Sequence, residues 1–342
     1  MRSIVYSRAG DSSVLDVVER SIPQPGPGEV RVRVAVSGVN PTDWKARRTG
    51  TAATAFGEVT PNQDGAGVVD AVGDGVDAPS VGERVWIFLA QHERPTGTAQ
   101  EYTVVPAARA VPLPEDIGFD VAAGLGVPAM TAHRALTIHE DGPERLSAGA
   151  LAGRTVLVAG GAGAVGHAAI QLARWAGATV IATVSSDQKA TLARDAGAHH
   201  TVNYRREDTA RRILEIAPGG VEQIVEVSPA HNFALDTDVI ANHGSIAYYA
   251  DNGGDEAIIP VVPTFAKNIR FQGLLMYTVG ERALTAAVED ITAALRDGAL
   301  PVGEDAGLPL TWFGLDDTAA AHDAVENGAI GKVLIDVSGD NH

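Results

Sequence analysis

Along the first third of the chain, apolar and polar positions alternate. Val30-Arg31-Val32-Arg33-Val34 puts every second side chain on one face, the period of a half-buried strand. Shorter runs at 66–72, 84–88 and 100–105, separated by Gly, Pro and Asp turns, predict a compact β-barrel-like unit. From about Val127 the period changes. The apolar run Val156-Leu157-Val158-Ala159 breaks into Gly160-Gly161-Ala162-Gly163-Ala164-Val165-Gly166 and resumes at helical spacing through Arg174. A second apolar run, Ala178 to Val184, follows Gly177 and completes a strand–helix–strand unit. Further strands are predicted at 201–204, 223–227, 245–250 and 269–276, with helices at 188–195, 209–216 and 281–297. Six strands with intervening helices make a doubly wound parallel sheet, so the class is α/β. The tail, Gly331 to Val337, reads as a strand returning to the first unit.

The glycine run carries the first chemistry. In this reading Gly161 turns the chain off the strand, Gly163 admits a pyrophosphate to the backbone, and Gly166 lets the helix pack closely on the sheet. Ala162, Ala164 and Val165 complete the loop, and the helix start offers N–H groups and the positive end of its dipole to phosphate. A site for NAD carries an acidic residue about twenty positions further on, against the ribose hydroxyl. This chain has Ser185 and Ser186 there, with Lys189 one turn later. Hydroxyls and a cation suit a 2′-phosphate, which points to NADPH. The same serines also read as a cap for the helix that follows, and the two roles are compatible.

Length, charge and composition narrow the picture. The chain has 342 residues, enough for two domains. Its formal charge of −17 argues against nucleic acid and anionic membrane surfaces as partners. With no cysteine, disulfides, thiolate catalysis and cysteine-bound zinc are excluded. Polar residues come too early at the amino terminus for a signal peptide, so a cytoplasmic location is expected. His139-Glu140-Asp141 and His199-His200 lack a third partner at a metal-ligand spacing and read as loop residues, so no metal is expected.

Ordered motifs then extend over nearly the whole chain: 25–30 leading to Gly38-Val39-Asn40-Pro41-Thr42-Asp43, Pro61-Asn62-Gln63-Asp64-Gly65-Ala66-Gly67, Val81 to Val85, Thr131-Ala132, the glycine loop, and Gly331-Lys332-Val333. In that order they resemble the medium-chain dehydrogenase/reductase superfamily, in its zinc-independent NADPH:quinone oxidoreductase (zeta-crystallin-like) branch. The resemblance implies a GroES-like β-barrel catalytic domain over 1–124 and 299–342, and a Rossmann coenzyme domain over 125–298. It also implies a homodimer through the coenzyme domain, whose last strand pairs with its twin. The zinc-containing relatives carry a cysteine where Asn40 stands and a His-Glu pair where Gln63-Asp64 stands. Amides are poor zinc ligands.

Without zinc to polarise a carbonyl, electron-poor conjugated acceptors remain. The expected activity is hydride transfer from NADPH to a quinone. An alternative is reduction of an activated C=C bond in an enone, enal or enoyl thioester, including natural-product tailoring. A third reading is a crystallin-like or sensor protein that binds NADPH without turnover. Asn40, Asp43, Lys45, Gln63 and Asp64 are the candidate catalytic residues. Asn40 reads equally as a donor to the reacting oxygen and as a turn residue before Pro41. Lys45 is a candidate hydrogen-bond or proton donor, at a position where some relatives carry tyrosine. Thr131, Tyr204, Val227, Tyr249 and Met276 are expected around the coenzyme, the last three as residues at the carboxyl ends of strands.

Overall fold

A computed structural model describes residues 1–339; the last three positions of the expected 299–342 segment lie outside it. The chain divides into two compact units, Met1–Val127 with Leu310–His342, and Pro128–Pro309.

The first unit opens with an antiparallel pair, β1 (Arg2–Val5) and β2 (Asp16–Glu19). Its spine is β3 (Glu29–Val39), where Val30, Val32, Val34 and Val36 are all buried, as the alternation predicts. Then come α1 (Pro41–Thr49), α2 (Thr51–Phe56), β4 (Asp64–Val72), β5 (Arg84–Ile87), β6 (Tyr102–Pro106), β7 (Ala110–Pro112) and α3 (Phe119–Ala123). Strand β3 pairs antiparallel with both β4 and β6, and Val69, Val85, Ile87 and Val105 join Val30 and Val32 in one core. Helix α1 starts sharply because Pro41 occupies its first turn and the Asp43 carboxylate accepts the Asn40 backbone N–H at 2.7 Å. Helix α4 (Gly126–Leu136) follows.

The second unit runs β8 (Thr155–Ala159), α5 (Ala164–Trp175), β9 (Thr179–Val184), α6 (Asp187–Asp195), β10 (His200–Asn203), α7 (Thr209–Ile216), β11 (Val221–Glu226), α8 (Pro229–Val239), β12 (Ile240–Tyr248), α9 (Val261–Ala266), β13 (Arg270–Gly273) and α10 (Glu281–Arg296). The six strands are parallel in the order β10-β9-β8-β11-β12-β13, a Rossmann sheet with β8 beside β11 at the reversal of direction. Leu157, Ile181, Ile224 and Ile246 from its strands pack with Ile213 of α7 and Phe233 of α8.

The chain then returns to the first unit as β14 (Leu310–Gly314), α11 (Thr318–Glu326) and β15 (Lys332–Asp336), giving a sheet ordered β14-β15-β3-β4-β5-β7 around this GroES-like unit. Strand β15 pairs antiparallel with the end of β3, Val333 opposite Val39.

Two sequence expectations shift. Residues 299–309 pack with the second unit, where Pro301 O accepts from Gln171, Ala306 O accepts from His167, and the turn at Gly307 lies against α6. The expected strand 269–276 stops at Gly273, and Met276 opens a 3-10 turn instead of ending a strand. Among the described residues, no helix is long and apolar enough to cross a membrane.

Candidate active site

In the first unit, the β3–α1 junction, the start of β4 and the start of β15 bring four ionisable or amide side chains into one buried centre. Asn40, Asp43, Asp64 and Lys332 are each at most 4% exposed. Lys332 Nζ donates to Asn40 Oδ1 at 2.7 Å, and Asn40 Nδ2 donates to Asp64 Oδ2 at 2.6 Å. The ammonium lies 3.9 Å from the Asp64 carboxylate. Val127 N–H, at the start of α4, reaches both Asp64 oxygens at 2.9 and 3.0 Å. A side chain at Gly126 would collide with that carboxylate. Burial raises the Asp64 carboxyl and lowers the Lys332 ammonium from their ordinary values, and each opposite charge partly restores them. Asp43 accepts backbone N–H bonds from Asn40 and Gln63, while burial and then the charge of Asp64 push it up to about 8. Gln63 is bonded at both ends to Gln91: its Nε2 donates to Gln91 Oε1, and its Oε1 accepts Gln91 N–H, each at 3.1 Å. The Lys45 ammonium lies 5.8 Å from the centroid of the Trp44 ring.

In the second unit, the glycine loop between β8 and α5 forms an open cradle. The residue with positive φ is Gly160 (69°), so the sharp turn falls one position before Gly161, where the sequence reading put it. Gly161 serves packing instead: a Cβ there would meet Ala182 Cβ at 2.8 Å and Ile170 Cδ1 at 3.1 Å. A Cβ on Gly166 would run into the Gly160 carbonyl, the close helix–strand contact expected of it. Gly163 caps α5 in extended conformation, with only Gly160 O near its missing Cβ. At the end of β9, Ser186 Oγ accepts Lys189 N–H at 3.3 Å and caps α6. That bond leaves the hydroxyl hydrogen free to donate outward, so the cap and a phosphate contact coexist. The neighbouring Asp187 carboxylate is paired with Arg206 at 2.7 Å. Tyr204 is half exposed, Val227 lies over Gly160, and Tyr249 follows β12 with its phenol raised by burial and then by Glu226. Thr131 and Met276 are buried.

At the end of β11 the sheet also holds a buried acid pair, Glu226 and Asp236, each 1% exposed. Glu226 accepts from Ser228 N–H and from Asn232 Nδ2. Asp236 is raised well above the ordinary carboxyl value by burial and then by the charge of Glu226, so it holds the shared proton and donates to Glu226.

Comparison with known proteins decides the family. Residues 164–293 match the model described as "Zinc-binding dehydrogenase", and 26–115 match "Alcohol dehydrogenase GroES-like domain". The 2-haloacrylate reductase of a Burkholderia species is 34% identical over 269 residues, covering 77% of this chain and 76% of that protein. The chain belongs to the medium-chain dehydrogenase/reductase superfamily. Within this superfamily it is similar to the quinone oxidoreductase of Rattus norvegicus, 29% identical over 98% of this chain and 97% of the other. Among solved structures, an NAD-dependent alcohol dehydrogenase superposes with a TM-score of 0.83 at 28% identity, covering 99% of this chain and all of that one. A mycobacterial protein complexed with NADPH superposes with a TM-score of 0.80 at 28% identity, covering 98% of this chain and all of that one.

The structure joins Asn40, Asp43, Gln63 and Asp64 in one connected set of bonds and brings into this candidate site two residues that the sequence did not single out for it, Lys332 and Gln91. Lys332 had one visible signal, a charged residue opening the otherwise apolar run 332–335, all of which is buried. Glu226 and Asp236 had none, since their positions ten residues apart meet only through the packing of α8 on β11.

Proposed function

We propose that this oxidoreductase uses NADPH and delivers hydride to a quinone without a metal. The reading is carried by the donor set of the buried centre. Asn40 stands where zinc-containing relatives place a cysteine ligand, yet its Oδ1 already accepts the Lys332 ammonium at 2.7 Å. Gln63 stands where they place a histidine, and both ends of its amide are engaged by Gln91. A zinc ion would have to displace a buried ammonium and bind through neutral amides, so these residues do not fit it.

The nucleotide fits the second unit. The loop from Gly160 to Gly166 leaves backbone open at the start of α5, where the pyrophosphate would be held. Ser185, Ser186 and Lys189 would hold the 2′-phosphate, with Asp187 neutralised by Arg206. Thr131, Tyr204, Val227, Tyr249 and Met276 complete the coenzyme contacts in this proposal. NADPH, when bound, supplies the hydride. The chain's own residues position and stabilise: Asn40 offers an N–H toward the acceptor oxygen, Asp64 and Asp43 hold that amide and its backbone, and Lys45 holds a proton for the product.

A second reading, reduction of an activated C=C bond, is favoured by the similarity to a 2-haloacrylate reductase. Loss of NADPH absorbance against a panel of quinones, enones and haloacrylates separates the two. Turnover with quinones alone supports the first, and turnover with the alkenes alone supports the second. NADPH binding without turnover of any acceptor overturns both. We further propose a homodimer formed through the β13 edge.

A further inference from the structure

We infer that Lys332 is the positioning residue of the buried centre: it dictates which way round the Asn40 amide stands, and therefore that an N–H of this amide is the group left to meet a reactant. An ammonium only donates and a carboxylate only accepts, so the amide atom 2.7 Å from Lys332 Nζ is oxygen and the one 2.6 Å from Asp64 Oδ2 is nitrogen. A flipped amide would press N–H against the ammonium and carbonyl oxygen against the carboxylate, in a place with almost no access to water. Among the described residues, one Nδ2 hydrogen then remains uncommitted. An ammonium on the amide oxygen also polarises the group and strengthens that remaining donor.

The partners of the amide are themselves immobilised. The Asp64 carboxylate takes Val127 N–H, and its backbone carbonyl takes the Thr98 hydroxyl at 2.6 Å. Because the Thr98 hydrogen is spent there, Ser37 donates to Thr98 at 2.7 Å, and Asn62 Nδ2 donates to Ser37 at 3.0 Å. Asn62 Oδ1 then accepts from His322 Nε2 at 2.9 Å, where burial lowers the imidazole to about 3 and keeps it neutral. Every direction in this chain follows from the one before it. The stem of Lys332 has its own prepared path, since a Cβ on Gly38 would stand 3.2 Å from its Cε. The register of β15 on β3 continues one step past Val333 and Val39 to set Lys332 against Asn40.

The consequence for turnover rests on the proposed reductase reading; the amide orientation does not. The test therefore has two readouts on the full-length protein, the side-chain amide NMR signals of Asn40 after asparagine-selective 15N labelling, and steady-state oxidation of NADPH by 1,4-benzoquinone. In Lys332→Met the Asn40 amide signals shift or double. The value of kcat falls by about tenfold to a hundredfold, with the Kd for NADPH and the KM for quinone little changed. Lys332→Arg, which keeps a donor cation, restores most of both. Lys332→Met added to Asn40→Ala causes no further loss of kcat, because the amide it orients is gone. The pair Lys332→Met with Asp64→Asn leaves no unpaired buried charge and secures a folded sample for the NMR readout, with the amide signals again displaced. Unmoved Asn40 signals in either background, or losses that multiply in the Asn40→Ala double variant, overturn the inference. Wild-type protein that oxidises no NADPH with any acceptor overturns the function instead, and the amide signals still decide the orientation.

Discussion

Gly166 and Lys189 represent two kinds of residue in the proposed nucleotide cradle, one where a side chain must be absent and one where a charge must be present. A Cβ at Gly166 would collide with the Gly160 carbonyl, and backbone cannot step aside as a flexible side chain can. Gly166→Ala is therefore expected to cost about 1–3 kcal/mol of stability and to weaken NADPH binding, as read by thermal melts and by fluorescence titration. An unaltered melting temperature together with unaltered affinity would contradict the packing account. In the proposed cradle Lys189 would act by charge and leave the fold alone. Lys189→Ala is expected to weaken NADPH by about tenfold or more and to leave NADH nearly unchanged. Equal losses for the two nucleotides would mean that the lysine does not read the 2′-phosphate. The same contrast explains what the sequence revealed. Glycine spacing is visible in a linear chain, whereas the partner of a buried lysine is set by strand register. The role of Gly161 was misread because only the backbone angles distinguish the turn at Gly160 from the packing one residue later.

At the level of elements, the join between β11 and α8 encloses a buried acid pair. Glu226 and Asp236 are buried together, and the pair is tolerable while Asp236 keeps its hydrogen. In the folded protein Asp236 is raised above its ordinary value, so its contribution to stability is complete below the normal carboxylate range and is lost as pH rises through the raised value. Asp236→Asn keeps an N–H donor toward Glu226 and removes the titration. The variant should show a flatter fall in melting temperature than the wild type as pH rises above the ordinary carboxylate range, followed by calorimetry across pH. A parallel fall in both proteins would assign that loss to other groups. Regular elements were the legible part of this chain. The helix expected at 209–216 is observed as Thr209–Ile216, and the half-buried strand at Val30 appears as the spine of its unit. Strand ends were less so: β12 starts at Ile240, five residues before its expected start, beside a register irregularity opposite Val221 and Gln223. Helix α9 went unpredicted because Pro260 and Pro263 flank and interrupt a run whose apolar side chains are exposed rather than packed.

That exposure is a property of the whole molecule. Strand β13 is the edge of the parallel sheet, with one side of its backbone unpaired by any described strand. Near it in sequence, Ile258, Val261, Val262, Phe265 and Leu275 are between 55% and 90% exposed. A chain carrying a formal charge of −17 is otherwise well protected against self-association by repulsion. Several exposed apolar side chains close in sequence to this open edge make sense when a second copy covers both, by an isologous contact that pairs β13 with its twin. The protein is expected to sediment as a dimer at micromolar concentration. Val262→Asp combined with Phe265→Asp should shift it to a monomer while the Kd for NADPH holds, because neither residue belongs to the proposed nucleotide cradle. A wild type that sediments as a monomer would remove the second copy from the account. A dimer indifferent to the two substitutions would move the contact away from α9.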